Sequence, residues 1–179
     1  MKDLITIGLP SKGRLKDKAI SFFNDRGLKI LQSEKERNYF GTIENKSNVK
    51  IIFLHAKEII QRLGDGTLDI GVSGLDLLKE SDKNLQGKIN IQKKLDYGNA
   101  NLVIAVPDDW IDVQTIADLE EISFDVRLKR NTRLRVATKY PNLTNDFLIS
   151  KGVTQYKLIS SLGATETYPF IGSSEIITD

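Results

Sequence analysis

The stretch LITIGLPSKGRLKDKAISFFNDRG, Leu4 to Gly27, decides the fold. Leu4, Ile5, Ile7 and Leu9 make a short apolar run closed by Pro10 and Gly13, the pattern of a buried strand. Beyond the glycine, Leu15, Ala19, Phe22 and Phe23 recur at helical spacing until Gly27 stops the pattern. The chain therefore begins strand, turn, helix, with Lys12 and Arg14 where the strand ends and the helix starts. Backbone N–H groups point outward at such a junction and favour anions. An ordinary β-to-α loop with two solvated charges accounts for this stretch equally well by itself.

The alternation continues outward. LKIL, NYFGTI and VKIIFL are strand-like; AKEIIQRLGDG has helical spacing and ends in glycines; LDIGV reads as a buried strand and GLDLLKES as a short helix. After Asp96 the pattern restarts. NLVIAV (Asn101 to Val106) is a strand, TIADLEEI a helix starting at Thr115, LRVATK a strand, LTNDFLISKG a helix and YKLISS a strand. This predicts parallel sheets covered by helices. KKLDYGNAN interrupts the periodicity and suggests a hinge near Lys94 to Gly98. The expected architecture is α/β and two-lobed, similar to the type II periplasmic-binding-protein class, with a central cleft. Lobe I spans 1–95 plus the C-terminal segment from about 174, and lobe II spans 96–173. PSKGR, GVSG, ATKYP and SLGATE each end a predicted strand, which is where open α/β sheets bind ligands.

At 179 residues and 20.1 kDa the chain can form one large domain or two small lobes. A net charge of +2 is too small to point to nucleic acid or an anionic membrane. The chain contains no cysteine, which removes disulfides, thiolate metal sites and a cysteine nucleophile together and fits a reducing compartment. No basic-then-apolar leader precedes Leu4 and no apolar run approaches the roughly 20 residues that span a bilayer, so a cytoplasmic location is expected.

PSKGR is not a Walker A loop, since it lacks the first glycine and the Lys-Ser/Thr ending. Lys12 nonetheless offers a point charge and Arg14 a planar fork suited to phosphate oxygens. Arg37, in ERNYF, reads by itself as a surface arginine pairing with Glu34 or Glu36. In GDGTLDIGVSGLDLL the glycines after a buried strand let backbone approach a ligand, or serve tight turns alone, and a helix N-terminus follows. Asp69 falls within the strand, and Asp76 on the helix's first turn suits the dipole. Thr138, Lys139 and Tyr140 end a later strand, and Asn142 or Thr144 is expected to cap the helix after it. RLKRNTRLR, without interleaved aromatics, reads as a solvated face. His55, the sole histidine, is taken as structural, because neither a zinc site nor a triad has its partners. Trp110 is read as lobe packing.

Together, LPSKGRL, ERNYF, GTLDIGVSGLDLL, LVIAVP, RVATKYPNLTNDF and SLGATETYPFIGSSEIITD resemble ATP phosphoribosyltransferase, catalytic subunit, short form, in order across essentially the whole chain. RNYF and GATE look like its proteobacterial version. The resemblance implies the first step of histidine biosynthesis: N1 of the ATP adenine attacks C1 of 5-phosphoribosyl-1-pyrophosphate, and magnesium pyrophosphate leaves. The adenine is the nucleophile, so no nucleophilic side chain is needed. Fixed cations aimed at the leaving group would stabilise the transition state more than the ground state. By this resemblance Arg14 and Arg37 are the catalytic candidates and Lys12 and Gly13 support the phosphates. Gly71, Ser73 and Gly74 line the nucleotide site, and Asp96 and Tyr97 lie near the adenine. Lys139 and Glu166 face the cleft from the second lobe as substrate contacts, Glu166 either acting on the phosphoribosyl donor or serving only as a helix-start carboxylate. Asp179 opens the segment that meets the donor. No residue is assigned to a metal, since Mg2+ arrives with the pyrophosphate substrate.

The resemblance also implies a homodimer that assembles with a histidyl-tRNA-synthetase-like regulatory subunit into a hetero-octamer. One departure stands out. In the family the segment matching SEIITD leads into an Asp/Thr/Gly-rich loop that grips the 5-phosphate and ribose hydroxyls, whereas the sequence here stops at Asp179, that loop's first acid. A chain ending there is expected to bind the donor weakly and turn over little. A non-catalytic small-anion or solute-binding module, or a ligand-sensing domain of a regulator, would share the lobes. The first usually carries a leader and needs no leaving-group arginines; the second normally comes with a helix-turn-helix.

Overall fold

The computed structural model describes residues 4–32 and 39–179. It divides into two compact units between Asn99 and Ala100. In the first, β1 (Ile5–Pro10) is buried over its last four residues, as befits a central strand covered on both faces. It pairs in parallel with β4 (Lys46–Leu54) on one side and with β5 (Ile70–Gly71) on the other. The sheet is completed by β2 (Ile30–Gln32) and β3 (Phe40–Ile43), in the order β2-β3-β4-β1-β5. Helices α1 (Gly13–Asn24) and α2 (Ala56–Gly64) follow β1 and β4, and the short α3 (Leu75–Glu80) and α4 (Lys83–Gln86) follow β5. Ala19 of α1 is fully buried in a core with Ile7, Leu9, Ile43, Ile51 and Phe53.

This sheet is mixed rather than parallel throughout, because β2, β3 and β4 pair antiparallel. Only Glu44 and Asn45 separate β3 from β4, which suits a hairpin and leaves no room for a crossover helix. Asn45 takes the left-handed turn conformation at φ 61°.

The second unit contains β6 (Ile104–Ala105), α5 (Ile116–Arg130), β7 (Leu134–Thr138), α6 (Pro141–Ser150), β8 (Tyr156–Ser160), a 3-10 turn at Thr165–Thr167 and β9 (Ile176–Thr178). The sheet order is β6-β9-β7-β8, with β7 parallel to both neighbours and β6 antiparallel to β9. The segment from about 174, expected to rejoin the first lobe, instead supplies β9 here. Ile176 is fully buried beside Leu119, Leu134, Val136, Leu148 and Val153, and Glu175 is bound to Arg135 of β7. The division also falls four residues later than the expected boundary after residue 95. Of NLVIAV only Ile104 and Ala105 form ladder strand, while Val103 exchanges backbone hydrogen bonds with Asp179 (3.0 and 3.2 Å).

Local starts and stops follow from side chains. Thr115 begins α5 through a capping box: its hydroxyl accepts from the Asp118 N–H, and the Asp118 carboxylate accepts from the Thr115 N–H at 2.7 Å. Neither Asn142 nor Thr144 caps α6. Tyr140 is the N-cap, without a side-chain cap, because Pro141 at the first helical position presets the helical φ. Arg127, Lys129 and Arg130 occupy the last turn of α5, where cations suit the dipole. Arg135 leaves that exposed run for a partly buried ion pair, so the solvated-face reading stops short of it. Trp110 packs on the second core, as its reading as lobe packing requires.

Candidate functional site

In the first unit the carboxyl ends of β1, β4 and β5 bring three loops side by side. Ser11 N–H donates to the Leu54 carbonyl (2.8 Å), joining the turn after β1 to the end of β4. Val72 N–H donates to the Gly8 carbonyl (2.9 Å), joining the turn after β5 to β1. Ser73 Oγ donates to the Ala56 carbonyl (2.7 Å), tying that turn to the start of α2. Ser73, named as a substrate contact, therefore has its proton engaged within the loop framework.

Lys12 and Arg14 stand on this edge, both exposed, and among the described residues neither is drawn into an ion pair. Lys12 is the N-cap of α1 and makes no side-chain cap, so its side chain leaves the first-turn N–H groups uncovered. Gly13 turns the chain at φ +70°, a left-handed conformation that glycine adopts without strain. Arg37 lies outside the described residues.

The glycines of the GVSG loop have local reasons. A Cβ at Gly71 would lie 2.6 Å from Ile59 Cγ2 and 2.8 Å from Leu63 Cδ1, so α2 packs on β5 at a distance only glycine permits. Gly74 caps α3 in extended conformation. Asp69 precedes β5 and accepts from the Thr6 N–H (2.8 Å) and hydroxyl (2.7 Å), which makes it a tie between β1 and the β5 segment.

Asp96 and Tyr97 come to α1 through their neighbour. A Cβ at Gly98 would lie 3.1 Å from Leu15 Cδ2, which seats the segment against the residue next to Arg14. Asp96 is exposed. The Tyr97 hydroxyl is buried and has no hydrogen-bond partner among the described residues; burial pushes its pKa up, so it remains a neutral phenol. His55 is the residue whose placement the sequence hid. It caps α2 by accepting from the Lys57 N–H at Nδ1 (3.3 Å), in keeping with a structural role. It also follows Leu54, the register partner of Pro10, and so stands on the same edge as Lys12 and Arg14. The signal was its position directly after the strand VKIIFL.

In the second unit β7, β8 and β9 also end on one edge. Lys139 follows β7 and Asp179 follows β9, and Lys139 Nζ meets Asp179 Oδ2 at 3.2 Å. SLGATE follows β8. Its Ser161 N–H donates to the Thr138 carbonyl (2.8 Å), and Ser161 Oγ contacts the Gly163 carbonyl and Thr165 Oγ1, each at 3.0 Å. Ala164 is held at φ 46°, ψ 45°, an uncommon conformation for a residue with a Cβ. Glu166, next but one, is exposed. A shallow concavity of about 450 Å³ around Leu31, Thr42 and Lys46 lies at the opposite end of β4 from these loops and has no part in the site. Lys12, Gly13, Arg14, Gly71, Ser73, Gly74, Asp96 and Tyr97 thus gather in the first unit, and Lys139, Glu166 and Asp179 in the second.

Comparison with known proteins gives these edges a context. The family model described as HisG, ATP phosphoribosyltransferase, matches residues 55–179. The chain is 44% identical over all 179 residues to an ATP phosphoribosyltransferase of Nitrobacter winogradskyi, of which it spans 55%, and 42% identical over 176 residues to one of Brucella melitensis, of which it spans 76%. A chain of the "ATP phosphoribosyl transferase (HisG:HisZ) complex from Thermotoga maritima" superposes with a TM-score of 0.64 at 22% identity, covering 98% of this chain and 73% of that one. At that identity the likeness speaks for the fold: the α/β units are those of the type II periplasmic-binding-protein-like class.

Proposed function

The chain belongs to the ATP phosphoribosyltransferase family, and from that premise we propose that it joins N1 of the ATP adenine to C1 of 5-phosphoribosyl-1-pyrophosphate. The lone pair of N1 forms the new bond while the C1–oxygen bond breaks, and the pyrophosphate oxygen keeps the electron pair. Positive charge builds on the ribose and negative charge on the departing diphosphate. Arg14, together with Arg37, stabilises that diphosphate, and Lys12 and the α1 N-terminus hold phosphate oxygens. Magnesium enters as part of the pyrophosphate substrate and leaves with it.

Gly71, Ser73 and Gly74 line the nucleotide, with Ser73 acting through backbone and lone pairs since its proton is engaged. Asp96 and the neutral Tyr97 phenol sit near the adenine, and Lys139, Glu166 and Asp179 handle the donor. The observation that carries this reading is the meeting of exposed Lys12 and Arg14 with the GVSG loop on one sheet edge. Relatives named for the transferase support it over a non-catalytic binding module. We extend the proposal, on the family resemblance, to a cytoplasmic homodimer that assembles with a histidyl-tRNA-synthetase-like regulatory subunit into a hetero-octamer; the Thermotoga neighbour, part of a HisG:HisZ complex, supports the partner subunit alone.

The test is incubation with ATP, 5-phosphoribosyl-1-pyrophosphate and Mg2+, with phosphoribosyl-ATP and pyrophosphate quantified by mass spectrometry. Arg14→Ala and Arg37→Ala are each expected to slow turnover by about 10²-fold, the scale of losing a preorganised donor at a developing charge. Unchanged turnover in both variants would refute the leaving-group role.

A further inference from the structure

Three threonine hydroxyls form a hydrogen-bonded chain at the strand positions just before Lys139 and Asp179. Thr138 ends β7, Thr178 ends β9, and Thr144 projects from the first turns of α6; they are 0%, 1% and 0% exposed. Thr144 Oγ1 is the middle member, 2.7 Å from Thr178 Oγ1 and 3.1 Å from Thr138 Oγ1. Thr138 Oγ1 also accepts the Tyr140 N–H at 2.9 Å. Helix capping does not require the Thr144 side chain, because Tyr140 is the N-cap and the Thr144 N–H already reaches the Tyr140 carbonyl at 2.9 Å. Packing does not require a hydroxyl either, since valine has the same shape. Burying a hydroxyl is costly unless it is hydrogen-bonded, and here it bonds to both strand ends at once.

Backbone pairing sets Thr138 opposite Thr178 in the β7–β9 ladder, but that ladder ends there. Lys139 and Asp179 are the next residue on each strand, and their side chains meet at 3.2 Å. The hydroxyl chain ties both strand ends to α6, while beyond the ladder the Asp179 backbone stays paired with Val103 on its other side (3.0 and 3.2 Å).

Resting on the reading that Lys139 and Asp179 serve the phosphoribosyl donor, we propose that Thr144 is a positioning residue for the donor site, fixing where those two side chains depart from the sheet edge. It touches neither substrate nor reacting atoms. Thr144→Val keeps the shape and removes the link, leaving the Thr138 and Thr178 hydroxyls without their shared partner. Thr144→Ser keeps the link. Val153→Ala, in the same core and outside the chain, matches a general loss of packing.

In the purified protein, confirmed folded by circular dichroism, Thr144→Val is expected to raise KM for the donor about tenfold, within the range that a small misplacement costs a positioned site. KM for ATP should stay within twofold, and Thr144→Ser should restore the donor KM. Amide exchange by NMR reads the positioning without substrate: Tyr140 and Asp179 should exchange about tenfold faster in Thr144→Val and unchanged in Thr144→Ser. The proposal is overturned if Val153→Ala, at a similar loss of melting temperature, reproduces the donor effect, or if Thr144→Val leaves donor KM and both amides unaltered. Should Thr144→Val fail to fold, Thr178→Val carries the same expectations. Wild-type protein that neither turns over nor binds the donor would defeat the reading of the site instead, and the exchange rates alone then decide whether Thr144 holds the two strand ends.

Discussion

Replacing Glu175 by glutamine should weaken the second unit by an amount that its hydrogen-bond geometry sets. The Glu175 carboxylate accepts from Arg135 Nη2 (2.7 Å), Nε (3.1 Å) and backbone N–H (2.7 Å), while Arg135 Nη1 reaches on to the Gly172 carbonyl (2.9 Å). Losing a hydrogen-bonded partner of a charged group costs about 1.5–3 kcal/mol. Glu175 is 15% exposed but Arg135 is 39% exposed, so solvent screens part of the gain, and glutamine retains one acceptor oxygen. About 2 kcal/mol is the expected loss at neutral pH. Burial pushes the Glu175 carboxyl up, yet the side-chain and backbone hydrogen bonds from Arg135 outweigh it and hold the pKa below its ordinary value. A depressed folded pKa means the contribution is complete above the unfolded pKa of about 4.3 and disappears as pH falls through the lower folded value. Urea unfolding followed by Trp110, the sole tryptophan and a member of this core, measures it. Wild type and variant should differ at pH 7 and converge in acid once the pH has fallen below that lowered folded pKa. A difference that is absent at pH 7, or that persists unchanged into acid, would refute the reasoning.

Thr115→Ala removes the α5 cap and should cost about 1 kcal/mol in the same urea assay. The Asp118 carboxyl, held low chiefly by its side-chain and backbone hydrogen bonds with Thr115, should then titrate higher by carbon NMR. Gly71→Ala drives a methyl into Ile59 and Leu63 of α2 and should destabilise the first unit by about 1–3 kcal/mol, read as a lower melting temperature.

What could be read from the residues alone was whatever depends on neighbours along the chain. The strand–turn–helix at Leu4 to Gly27, the start of α5 at Thr115 and the loops at strand ends all follow from local periodicity and turn chemistry. What escaped was set by partners distant in sequence. The C-terminal segment carries the apolar pattern of any buried strand, and nothing in SEIITD says which sheet it joins. The register with β7 and the Glu175 contact to Arg135, forty residues away, decide it. The same holds for Arg135, which a run of basic residues disguises as surface, and for Gly71, whose constraint comes from Ile59 and Leu63. Thr144 looked like a cap because caps are local, while its hydroxyl partner Thr178 lies 34 positions on.

The two edges also hold their charges in different states, and the proposed chemistry gives a reason. Lys12 and Arg14 are exposed and, among the described residues, without an ion-pair partner, whereas Lys139 is partly buried and paired with Asp179. A cation that must meet charge appearing only as a bond breaks gains most if nothing else neutralises it beforehand, and water solvates it at little cost until substrate arrives. Its backbone must still be fixed in advance, and the Ser11–Leu54 and Val72–Gly8 hydrogen bonds do this without consuming the side chains. A lysine that meets a ligand carrying its own magnesium faces a site of mixed charge, where a neighbouring carboxylate keeps the local balance. Under the proposed function, leaving-group stabilisation and donor placement call for opposite electrostatic preparation, and the exposed pair of one unit and the bonded pair of the other would satisfy the two demands separately.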